Sequence, residues 1–149
     1  MPEPPVQLLA FDFGLKRIGI AAGDTVTGTA RPRPAARVHT DGPDWEAIGR
    51  EVRALKPGRL VVGAPYNADG TAGTLLPRVR RFADELARRF ALPVSLVDER
   101  FSSLEASAAL KAHRAAGSRR RSRPEDIDSA AAAVILERWL TGETGEELT

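Results

Sequence analysis

The sequence predicts an α/β fold, a mixed five-stranded sheet with helices on both faces, and three observations carry that expectation. Short apolar runs alternate with segments of helical periodicity along most of the chain. The first two runs, Gln7–Phe13 and Arg17–Gly23, flank a Gly-containing turn and read as an antiparallel hairpin. Two later runs, 59–65 and 93–97, are short and continuously apolar, the pattern of parallel strands buried between helices. The 149 residues suit a single domain, 1–149, large enough to bury a genuine core. Residues 1–6, Pro-rich, and 141–149, acidic and Gly-containing, are expected to be flexible.

After the hairpin, Thr25–Val38 carries Pro and Gly interruptions that suit a short edge strand or a strand broken by loop. Asp41-Gly42-Pro43 gives a helix start with Pro near the first turn. Trp45, Ile48, Val52 and Leu55 then follow at helical spacing until Lys56-Pro57-Gly58. The strand 59–65 leads through a loop, 66–74, into a helix whose stripe is Val79, Phe82, Leu86 and Phe90. The strand 93–97 ends in Asp98-Glu99-Arg100. Ser102 with Glu105 forms a capping box for a helix running towards Lys111, and Ser122 with Glu125 forms another. The last helix, 125–140, is Ala-rich and so able to pack closely on a sheet. Three antiparallel strands followed by alternating helices and strands are the plan of the ribonuclease H-like fold.

Composition excludes several classes. No apolar run is long enough to span a bilayer, and the N-terminus lacks the basic and apolar regions of a signal peptide. With no cysteine there are no disulfides, thiol nucleophiles or Cys-based zinc sites. These features fit a cytoplasmic protein without a membrane partner. A net charge of +2 is too small to argue for nucleic acid, but its distribution says more. Between Lys111 and Arg123 there are basic residues and no acid.

Asp12 lies inside an apolar strand, where a lone carboxylate is costly unless paired or bound to metal. Glu99 lies just past the end of the last core strand. Asp128 lies in the first turn of the last helix, on the face shared by Ala132, Ile135 and Trp139, so it points inward. In an open sheet, sites form outside the carboxyl ends of the parallel strands. Three carboxylates converging there hold hard divalent cations through oxygen ligands. Each acid also has a plain structural alternative: Asp12 as a turn cap, Glu99 as an ion pair with Arg100, Asp128 as a favourable helix-dipole charge. Their company favours the functional reading.

Four segments, FDFGLKRIG, VVGAPYNADG, VDERFS and DIDSAAAAVIL, occur in family order from Leu8 to Leu140 and closely resemble the YqgF family, also called RuvX or Holliday-junction-resolvase-like proteins. The resemblance implies a ribonuclease H-like fold and a metal-dependent nuclease that matures the 5′ end of 16S ribosomal RNA, with a role on branched DNA as the alternative. It carries the family's acidic positions onto Asp12, Glu99 and Asp128, and Mg2+ or Mn2+ as the cofactor. Relatives usually have Thr after the motif glycine. Leu15 here removes a hydroxyl contact to phosphate and leaves metal binding untouched. Resolvase relatives take an acid from the preceding strand, where this chain offers only Asp69. Glu99 is therefore the chosen second ligand, with Asp69 and Asp98 in reserve.

For the substrate, Gly63, Asn67, Asp69 and Gly70 form a strand-to-loop turn on the same sheet end, where Asn67 can bond a sugar or base edge. Lys16 and Arg17 stand next to Asp12 and suit a phosphate. Arg119, Arg120 and Arg121 suit sequence-independent contacts with the nucleic-acid backbone. His39 and His113 are not spaced as a metal pair, and Trp45 and Trp139 sit on helix stripes as core residues. The leading expectation is a nuclease on structured RNA. A branched-DNA version would need a two-fold homodimer, and a catalytically weak nucleic-acid-binding ribosome-assembly factor is the alternative from another class. The phosphate-binding hairpin of actin-like ATPases ranks behind these, since one domain of this length cannot supply their interdomain cleft.

Overall fold

In a computed structural model, the described residues are 6–64, 75–98, 124–141 and 146–148. The strands are β1 (Gln7–Phe13), β2 (Arg17–Asp24), β3 (Ala30–His39), β4 (Gly42–Pro43), β5 (Arg59–Ala64), β6 (Val94–Asp98) and β7 (Glu146–Leu148); the helices are α1 (Trp45–Leu55), α2 (Leu76–Phe90) and α3 (Pro124–Leu140). The sheet runs β4-β3-β2-β1-β5-β6-β7. β1, β5 and β6 are mutually parallel, while β2, β3, β4 and β7 run antiparallel to their neighbours. The five expected strands are present, and two very short ones extend the sheet at its edges.

Strand alternation divides the interior into two layers. Leu9, Phe11, Ile18, Ile20, Leu60 and Val62 pack against Ile48 of α1 and Val79, Phe82 and Leu86 of α2. Leu8, Ala10 and Val61 face the other way, against Ile135 and Leu136 of α3. Phe82 is the hub of the first layer, edge-on to Phe11 (centroids 5.8 Å apart) and stacked on Trp45 (5.6 Å). Trp45 also lies under the Arg89 guanidinium, 4.3 Å away, and Trp139 under that of Arg59, 5.8 Å away. Both tryptophans are packing residues, as expected.

Three local expectations are corrected. β3 is a ten-residue strand despite Pro32 and Pro34. Among the described residues only Val38 and His39 pair on its outer side, so the missing proline donors cost it little. Pro43 is not in the helix's first turn: Gly42–Pro43 pairs with Val38 and His39, and Asp44 caps α1 by accepting the Ala47 N–H at 3.1 Å. The tail is not frayed throughout, because residues 146–148 add antiparallel to β6. The helix expected towards Lys111 and both capping-box serines lie outside the described residues, as do residues 1–5.

Candidate active site

Asp12 continues the series Leu8, Ala10, on the side of the sheet that α3 covers. It is half-buried near the carboxyl end of β1, one step beyond the Phe11–Val62 pairing with β5. On its other side it pairs directly with Gly19 of β2. The carboxyl ends of β1, β5 and β6 thus share one edge, and Asp12 stands there as sheet topology predicts for a site.

Gly19 brings the second carboxylate. A Cβ at this position would lie 2.0 Å from the Asp128 carbonyl oxygen, so only glycine lets the first turn of α3 rest on the strand. The approach continues along β2, where Ala21 meets Ala132 and the Gly23 backbone meets Leu136. Directly opposed antiparallel residues sit about 4.5–5.5 Å apart at Cα. Asp128, seated on Gly19, is therefore a close neighbour of Asp12. Arg17, two residues before Gly19 on the same face, donates from Nε to Asp128 Oδ2 at 2.8 Å. Both side chains are about one-third exposed, 33% and 30%, so the pair contributes at most about 1 kcal/mol to stability. Its effect is to orient the carboxylate.

Ser129, not singled out in the sequence, fixes this arrangement. The β2–β3 pairing shifts register between Ile18–Ala36 and Ile20–Arg33, leaving a bulge in β3 opposite Gly19. At the bulge, the Ile20 N–H and the Arg33 carbonyl both turn to one side chain from α3. The buried Ser129 hydroxyl accepts from the former at 3.3 Å and donates to the latter at 2.8 Å. One side chain from α3 thus plugs the defect and pins the residue after Asp128. A serine amid alanines on a buried face was the available signal.

The structure brings Asp12, Arg17 and Asp128 together, with Lys16 exposed beside them at the hairpin turn. Arg17, expected to face a phosphate, is engaged by Asp128. Leu15 is exposed at the same turn, 56% accessible. Gly63 lies near the end of β5, and Asp98 closes β6 paired with Ala64. Glu99, Asn67, Asp69, Gly70, Arg119, Arg120, Arg121 and His113 lie outside the described residues. Among the described residues no three His, Cys, Asp or Glu side chains cluster. Asp12 and Asp128, set near one another by Gly19, offer hard oxygen donors, the chemistry suited to a magnesium- or manganese-like ion. A glycine inside a strand costs stability, and here it admits the backbone of the Asp128 turn. The residues present fit a divalent cation.

Residues 6–142 match the model of a family described as RuvX, Holliday junction resolvase. The chain belongs to the RuvX family. RuvX relatives similar to it include a protein of Xanthomonas campestris pv. campestris (strain 8004), 43% identical over 146 residues, covering 95% of this chain and 94% of that one. Another, from Escherichia coli O157:H7, is 45% identical over 132 residues, covering 89% and 94% respectively. Both carry the name "Putative pre-16S rRNA nuclease". Among solved structures, Thermus thermophilus RuvC in complex with a Holliday junction substrate superposes with a TM-score of 0.55 at 17% identity, covering 96% of this chain and 99% of that one. A second Thermus thermophilus RuvC structure gives 0.52 at 16%. These likenesses establish the ribonuclease H-like fold, and the family match accounts for the four sequence motifs.

Proposed function

We propose that this chain is a divalent-metal-dependent nuclease that trims the 5′ end of precursor 16S ribosomal RNA. The observation that supports it best is the seat of Asp128 on Gly19, directly beside Asp12, at the carboxyl edge of the parallel strands. The names of the RuvX relatives support the RNA substrate, and a ribosomal substrate supports a cytoplasmic location. Asp12, Glu99 and Asp128 would hold the cation, Mg2+ or Mn2+, with Asp69 and Asp98 in reserve for the place of Glu99. A bound divalent ion supplies Lewis-acid stabilisation of the attacking and leaving oxygens of a phosphodiester. This chain's own residues do the rest. Arg17 keeps the Asp128 carboxylate turned towards β2. Lys16 stands where it can neutralise the substrate strand, joined by Asn67 and by Arg119, Arg120 and Arg121.

The test is a panel of labelled precursor ribosomal RNA, single-stranded RNA, single-stranded DNA and four-way junctions, each with and without metal. Cleavage of the precursor is expected with metal only. Asp12→Asn keeps side-chain volume while removing ligand charge, so it should lower the rate by more than about a hundredfold with thermal unfolding nearly unchanged. Full activity in this variant at saturating magnesium would overturn the metal mechanism. The family's description as a Holliday junction resolvase favours a second reading, in which a homodimer cuts branched DNA. Preference for the junction over precursor RNA would select it. Binding of RNA without any cleavage would select an assembly factor.

A further inference from the structure

The bulge in β3 does more than receive Ser129. Arg33 points to the α1 side, where its guanidinium pairs with Glu51 through contacts of 2.9 and 3.3 Å. Simple alternation would place Arg37 on that same side. The extra residue inverts the alternation, since Arg33 opposes Ile20 and Ala36 opposes Ile18, two side chains of one layer. Arg37 therefore opposes Arg17 and shares the side of Asp128.

Two arginines directly opposite one another in an antiparallel pair repel, an arrangement that costs stability. Arg17 is compensated by Asp128. Among the described residues, neither Arg37 nor Lys16 makes a side-chain ion pair, and both are exposed. With His39 they border a groove of about 410 Å³ lined also by Arg17, Ala35 and Val38. Among the described residues no carboxylate lines it, although Asp44 Oδ2 lies 3.9 Å from His39 Nε2. Arg17 is shared between this groove and the carboxylate pair, so a chain of anions lying in the groove runs directly to Asp12 and Asp128.

We propose that this groove is a phosphodiester subsite in which Arg37, flanked by Lys16 and His39, holds the backbone of the nucleic-acid strand beside the bond to be cut. The proposal deepens the nuclease reading and rests on it. The ligand is the repeated phosphate of a polynucleotide rather than a base, since the lining among the described residues offers cations and no Phe, Tyr or Trp face. The bulge is the device that creates it, turning one arginine of β3 to structure and the next to substrate.

The test is equilibrium binding of the full chain, in chelator, to a labelled single-stranded RNA and a labelled DNA duplex across a salt series, with cleavage measured separately with metal. Arg37→Ala should weaken binding several-fold whatever the sequence. It should also reduce the slope of log K against log salt by about 0.7 for the single strand or 0.9 for the duplex. Arg37→Lys, which keeps the charge, should restore the slope. Arg88→Ala, on α2 across the sheet, should change neither quantity. An unchanged affinity and slope in Arg37→Ala, with wild-type chain that still cleaves, would overturn the subsite and spare the nuclease reading. A reduced slope in a chain that cuts nothing in any metal would support the subsite and overturn the nuclease reading.

Discussion

The two sides of the sheet are packed on different principles. On the α1–α2 side, bulky groups fill the space between layers: Phe11, Phe82, Leu86, Ile48 and Trp45. On the α3 side over β2, the contacts are Gly19, Ala21 and Gly23 against Ala132, Leu136 and the Asp128 backbone. The first side gains its stability from apolar area removed from water. The second removes less area per residue and instead sets a backbone-to-backbone distance. Both layers carry buried apolar cores, but over β2 the second one also seats the start of α3 beside the strand partner of Asp12.

That contrast can be broken from either side. Phe82→Ala should have the largest effect on stability, about 3–5 kcal/mol, because it empties the aromatic hub of the first layer. Chemical denaturation would read it. Activity per folded molecule should stay close to wild type, and a large loss at low temperature would show that the layers are coupled.

Gly19→Ala should cost less stability, about 3 kcal/mol, yet abolish cleavage. Its methyl meets the backbone of α3, which cannot step aside as a side chain can, so the helix start must lift away from Asp12. Wild-type rates in a folded Gly19→Ala protein would separate the carboxylates from the mechanism. Ser129→Ala sharpens the comparison by keeping the close approach while removing the plug in the bulge. It should cost about 1–3 kcal/mol, since the Ile20 N–H and Arg33 carbonyl lose a partner in a buried place. Hydrogen exchange of the Ile20 amide would speed up most.

Much of this was legible in the sequence because it rests on periodicity. The apolar runs of β1, β5 and β6 and the stripe Val79, Phe82, Leu86 follow directly from alternation or helical spacing. The same holds for the inward placement of Asp128, which the face Ala132, Ile135, Trp139 fixes. What was not legible depends on pairing between distant segments. Pro32 and Pro34 signalled an interrupted strand, whereas the chain keeps the strand with one bulge in it. Nothing local to Arg37 tells which side it faces, because that is decided by a register shift three residues away. The role of Ser129 exists only once α3 lies over β2. The polar tail found its place through backbone pairing with β6, which composition does not encode.

The run of contacts between α3 and β2 has a mechanical consequence. The helix and the strand advance side by side, Asp128 over Gly19, Ala132 beside Ala21, Leu136 beside Gly23. Four helical residues rise about 6.0 Å, and two strand residues about 6.6 Å. The two scales nearly coincide over this length and would drift apart beyond it, as the rulings of a vernier do. A slide of α3 along β2 would break the seat at Gly19, which admits the helix backbone and no side chain. Asp128 is thereby indexed by contacts more than two helical turns away, at Gly23. The carboxylate is positioned by contacts along the helix as well as by its own neighbours, Gly19, Arg17 and Ser129.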